Sequence, residues 1–165
     1  IGLMARAIAA PGVAAVFTVA SGTPTLRFFS PRLRLGVCTV LAAHRLAGPL
    51  LGYFPGDRIG FGGRQPRRLM DEWALLARRG RFELGGRNLL APPGEPGRTI
   101  PVRTPVLPED TYAPRGATEH LLSLAGVAPE AAETYDGAGP RGHFDWLKAP
   151  QPLAERLHRM LVGAD

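Results

Sequence analysis

The chain has one cysteine, one lysine, three serines and no apolar run long enough to span a bilayer. A lone Cys38 excludes an internal disulfide and any all-cysteine metal site. Set in the apolar run VCTVLAAH, it reads as a buried, inert thiol. The apolar stretch from Leu3 to Val19 is broken by Arg6 and by Pro11-Gly12, so no membrane partner is expected. It also lacks the basic segment and small-residue cleavage site of a secretory signal, which makes a cytoplasmic setting the default expectation. The glycine-rich GFGG at 60–63 follows no strand and lacks the G-x-x-x-x-G-K-[ST] pattern, so it does not read as a nucleotide-binding loop.

Charge is present but skewed. Lys and Arg number 20 against 14 Asp and Glu, a formal net charge of +6. Such a balance ordinarily suggests a nucleic-acid or anionic-membrane partner. Only Lys148 is lysine, however, and the abundance of Arg together with Ala, Gly and Pro looks like a coding bias towards GC-rich codons. No arginine cluster is interleaved with a stacking aromatic platform, so no nucleic-acid partner is expected. The charge is also segregated, with an excess of basic side chains over residues 1–100 and of acidic ones over 101–165.

Hydrophobic content of 45% and 165 residues suit a folded chain of about one domain. IGLMARAIAA has helical apolar spacing and stops at Pro11-Gly12, yet no start signal precedes Ile1. VAAVFTVA is a β-branched run that suits a strand buried in a parallel sheet. Helices are expected over Leu33–Leu46 and from about Arg67 to Arg79, separated by the turn-rich GYFPGDRIGFGGRQP. A Gly/Pro-rich connection over 85–99 leads to a strand in TIPVRTPVL, a helix over Pro114–Leu124, a weak strand in EAAETYDG and a last helix over about Pro152–Val162. This order is that of an α/β fold with a parallel sheet interrupted by a helical excursion.

Two loops carry candidate chemistry. In PEDTYAP, Asp110 follows an apolar strand; in RGHFDWL, His143 follows a weak strand and a glycine-rich turn. Both sit at the carboxyl edge of a parallel sheet, where ligands and catalytic groups collect. A carboxylate there can orient an imidazole that acts as general base and then acid. Alternatively, Asp110 caps the helix near Pro114 and His143 is a surface turn residue. His44, His120 and His158 fall within expected helices, in solvent-facing or packing roles, and no pair has metal-ligand spacing, so neither metal nor organic cofactor is expected.

The segment PLLGYFPGDRIGFGGRQPRRLMDEWALLARRGRF, followed by PVLPEDTYAP and GHFDWLK, is similar to a little-characterised group of bacterial α/β-hydrolases related to the serine aminopeptidase and monoacylglycerol lipase-like hydrolases. The resemblance runs from residue 1 to about 148, with GYFPG and the D-E-W-A helix its most specific part. It implies a partial α/β-hydrolase fold: core helix and strand over 1–23, a helical cap over 24–84 and a carboxyl-terminal core over 85–165. Asp110 then matches the triad acid, with its neighbour Glu109 the alternative, and His143 the triad base. The implied activity is hydrolysis of a small-molecule ester or amide by a serine nucleophile.

That nucleophile is expected just before Ile1, because Ser21, Ser30 and Ser123 all lie outside any G-x-S-x-G motif. The chain thus reads as a carboxyl-terminal fragment, inactive alone. Pro108 directly follows Leu107, where the family has several more apolar residues before the acidic pair, so either the strand is drawn in shifted register from Thr99–Leu107 or a short deletion has damaged the site. Tyr53, Phe54, Phe61 and Trp73 either line an apolar pocket or pack the cap. The competing class is a non-catalytic binding or scaffold module with a basic surface for an acidic partner. Substrate and oligomeric state are left open by these patterns.

Overall fold

In the computed structural model, residues 7–8, 10–60, 63–80, 83–84, 87–88 and 100–162 are described. They fall into two units, one of residues 1–23 with 89–165 and one of residues 24–88. The first holds a three-stranded parallel sheet covered by helices, a mixed α/β arrangement. Its strands are β1 (Val16–Phe17), β6 (Val102–Val106) and β7 (Ala132–Thr134), with β6 in the middle. Val16 lies beside Val102 on one side of β6, and Thr104 beside Ala132 on the other.

The β1 strand is much shorter than the apolar run that suggested it. Thr18 still donates its N–H to the Arg103 carbonyl at 3.1 Å, but the chain then turns away through Ala20 at φ +46°. Beyond that turn it lies on helix α3 (Arg115–Leu124). Gly22 permits this approach, since a Cβ there would meet the Ala117 Cβ at 3.0 Å. Thr118 Oγ1 donates to the Ser21 carbonyl at 3.0 Å, and Thr23 Oγ1 pairs with Nδ1 of His120 at 2.9 Å.

Helix α3 buries Ala117, Thr118, Leu121 and Leu122, the 3.6-residue spacing of a single face. Leu122 packs with Val102, Val106, Ala131 and Ala132 on one face of the sheet. A separate cluster of Leu107, Tyr135 and Leu153 receives the last helix, α5 (Gln151–Val162). Of the helix expected over residues 1–10, Ala7, Ile8 and Ala10 are described; the first two are helical and Ala10 is already in the bend that follows. Most of the connection expected over 85–99 also lies outside the described residues.

The second unit is an antiparallel helix pair with a hairpin between. Helix α1 (Pro31–Leu51) runs further at both ends than its apolar spacing indicates. Ser30 accepts the Leu33 N–H and Pro31 supplies a preset first turn, while Gly52 at φ +71° closes the far end. The turn-rich segment folds as β2 (Tyr53–Pro55) and β3 (Arg64–Pro66), with Phe54 opposite Gln65. Helix α2 (Arg67–Arg79) follows and ends at Gly80, φ +63°. Beyond it β4 (Glu83–Leu84) pairs with β5 (Arg87–Asn88).

Val37 and Leu41 of α1 pack with Phe29 and with Ala77 of α2. Phe54 is fully buried with its ring edge-on to His44, and Trp73 packs against the same helix pair. Phe61 lies outside the described residues. Cys38 corrects an expectation: it is exposed, not buried. Its helix buries only the face that carries Val37, Leu41, His44 and Gly48, and Cys38 lies off that face. No helix among the described residues is long and apolar enough to cross a membrane.

Candidate active site

Strand β6 delivers Leu107 into the core, and the chain turns sharply through Pro108. The Asp110 N–H reaches back to the Leu107 carbonyl at 3.2 Å. The Asp110 side chain is only 1% exposed. Its Oδ1 accepts the N–H groups of Tyr112 at 2.9 Å and of Ala113 at 2.7 Å, which closes an Asx turn. It does not cap α3: Pro114 occupies that position with no side-chain bond. The carboxylate is therefore presented at the carboxyl end of the central strand.

The histidine loop is built by glycines and one aspartate. Gly139, at φ +116°, lies so close to Pro152 that a Cβ would meet its ring at 3.0 Å. Gly137 crosses the Tyr135 ring at a distance that also excludes a side chain. Past this crossing, the Gly142 N–H donates to Asp145 Oδ2 at 2.7 Å, and the Asp145 N–H returns to the Gly142 carbonyl at 3.2 Å. His143 is held between these bonds, at the start of the short helix α4 (Asp145–Lys148).

The two loops meet. Nδ1 of His143 lies 2.9 Å from both Oδ1 and Oδ2 of Asp110. A carboxylate only accepts hydrogen bonds, so Nδ1 carries the proton and Nε2 presents a lone pair. Among the described residues, Nε2 has no partner, and the ring is 23% exposed. A buried acid that fixes the tautomer, with the opposite nitrogen free, is the arrangement of a general base. Glu109, the alternative acid, faces away and pairs with Arg141 at 2.6 Å.

Sequence reasoning missed the surroundings of the imidazole. The Phe144 ring stands edge-on to His143 with centroids 4.7 Å apart, and Tyr112 tilts against it at 5.3 Å. Tyr112, Phe144 and Leu147 are all exposed, which gives the dyad an apolar, aromatic rim. The signal lay in the motifs themselves, since Tyr112 follows Asp110 by two residues and Phe144 follows His143 directly.

The serine hydroxyls are engaged elsewhere. Ser21 Oγ donates to the Val19 carbonyl at 2.8 Å, Ser123 Oγ to the His120 carbonyl at 2.8 Å, and Ser30 caps α1. Of the other histidines, His44 is buried against Asp71, His120 binds Thr23 and His158 is exposed. No group of three metal-ligating side chains exists among the described residues. Comparison with protein-family models, curated proteins and solved structures finds no match to this chain.

Proposed function

We propose that this chain supplies the acid and the histidine of a serine hydrolase acting on ester or amide bonds. The observation that carries the reading is the buried Asp110 carboxylate bonded through both oxygens to Nδ1 of His143, with Nε2 left open. A serine hydroxyl approaching Nε2 would lose its proton as its oxygen attacks the carbonyl carbon. His143 would then return that proton to the departing alcohol or amine, while Asp110 balances the transient imidazolium. The nucleophile comes from outside residues 1–165, on a strand that the open side of β1 is suited to receive, since among the described residues β1 pairs only with β6. This agrees with the resemblance of the chain to the α/β-hydrolase group.

The test is labelling of the native polypeptide with a fluorophosphonate probe, read beside turnover of a nitrophenyl ester. Labelling and turnover are expected, with turnover reduced by about 10⁴-fold in His143→Ala. Residues 1–165 by themselves are expected to leave the ester untouched. Full turnover by the His143→Ala polypeptide would overturn the reading.

A further inference from the structure

A second concavity lies within residues 24–88, away from the Asp110 loop in sequence and chemistry. It has a volume of about 560 Å³ between α1 and α2, within the usual range for small-molecule pockets. Its wall holds four arginines, Arg45, Arg67, Arg78 and Arg79, against the single acid Asp71. Both oxygens of that acid are taken, Oδ1 by His44 Nε2 at 2.7 Å and Oδ2 by Arg67 Nε at 3.7 Å. Nearby Glu72 pairs with Arg68 at 3.5 Å. Among the described residues Arg45, Arg78 and Arg79 have no ion pair and no hydrogen-bond partner.

Helix stability accounts for only part of this charge. Arg78 and Arg79 suit the carboxyl end of α2, and Arg67, its first residue, is held against the unfavourable end of the helix dipole by its pair with Asp71 one turn on. Arg45 belongs to the other helix and adds like charge on the same concavity. The floor between them is apolar, formed by Leu41, Ala74 and Leu75.

We infer that this concavity binds an extended organic polyphosphate of about the size of a nucleoside diphosphate. Arg67 and Arg78 are three helical turns apart, roughly 16 Å along the axis, so the wall is longer than a phosphate group and leaves room for an organic moiety beside it. A phosphate chain meets forked guanidinium donors at one end, and an uncharged ring or chain lies over the apolar floor. The inference is independent of the hydrolase reading, since it concerns binding and needs no nucleophile.

The experiment is calorimetric titration of the native polypeptide with ADP, at low and at physiological salt. Saturable binding is expected, weakened at least about tenfold in the double variant Arg78→Ala/Arg79→Ala. The control variant Arg32→Ala/Arg58→Ala removes the same charge from exposed positions outside the concavity and is expected to change affinity by less than about twofold. Arg45→Glu, which reverses one charge on the opposite wall, is expected to abolish binding, and circular dichroism checks that each variant stays folded. Equal weakening in the control, no saturable binding of ADP, or binding of a single-stranded oligonucleotide in place of ADP would each overturn the proposal.

Discussion

Glu109 and Arg141 join the acid loop to the histidine loop twice over: the Glu109 N–H donates to the Arg141 carbonyl at 2.9 Å, and their side chains pair at 2.6 Å. Each partner is one or two residues from a member of the dyad, so the double link sets the register in which Asp110 meets His143. The two components differ in strength. The ion pair is solvent-exposed, which limits its contribution to below about 1 kcal/mol, whereas the backbone bond does not depend on side-chain identity. Glu109→Ala is therefore expected to lower unfolding free energy by less than about 1 kcal/mol in urea denaturation, and to leave the His143 Nδ1 proton resonance in place. Loss of that resonance would mean that the ion pair, and not the backbone, holds the register.

Asp110→Asn tests the dyad more sharply. An asparagine oxygen can keep the Tyr112 and Ala113 N–H bonds, but its amide nitrogen would then face Nδ1. Two donors cannot share one bond, so the imidazole is expected to move its proton to Nε2. Nitrogen-15 NMR of His143 reads this directly, as protonation at Nδ1 in the parent chain and at Nε2 in the variant. Asp110→Ala is expected to cost more, about 2–4 kcal/mol, because it leaves buried donors without an acceptor.

Legibility in the sequence followed the punctuation of the chain. Helix α2 is bounded by Pro66 and Gly80, and helix α3 starts after Pro114, so period and stop signals located both to within a residue or so. The strand at Val16 was overestimated because a β-branched run states propensity, while the ladder needs a partner backbone that β6 offers over only a few residues. The hairpin of β2 and β3 was invisible because three-residue strands carry no alternation. Cys38 was misplaced because an apolar helix does not announce which face its neighbours cover. Asp110 and His143 stood out through their position after successive strands and through the resemblance of their loops; the bonds between them depend on the Gly139 and Gly142 turns, and no local pattern in the sequence encodes those distances.

Leu122 is 0% exposed and faces Val102 and Val106 across the helix–sheet contact. Leu122→Ala is expected to destabilise the sheet unit by about 2–5 kcal/mol, since the lost transfer energy is joined by an unfilled cavity. Leu46, at 74% exposed, is the matched control, and its truncation to alanine is expected to change stability by less than about 0.5 kcal/mol. Urea unfolding of both variants checks the contrast.

Gly48→Ala sets two effects of opposite sign against each other. Within helix α1, alanine is favoured over glycine by about 1 kcal/mol. The added Cβ, however, would lie 2.9 Å from His44 Cε1 and 3.0 Å from Nδ1. His44 cannot readily yield, because it is only 4% exposed, bonded to Asp71 and packed edge-on against Phe54. Overpacking of this kind costs about 1–3 kcal/mol, so the substitution is expected to destabilise the helix pair despite its better propensity. With His44→Ala in the background the obstruction is gone, and Gly48→Ala is then expected to stabilise by about 1 kcal/mol. The sign reversal between the two backgrounds, measured by thermal unfolding, isolates the contact between Gly48 and the imidazole from the propensity of the helix itself.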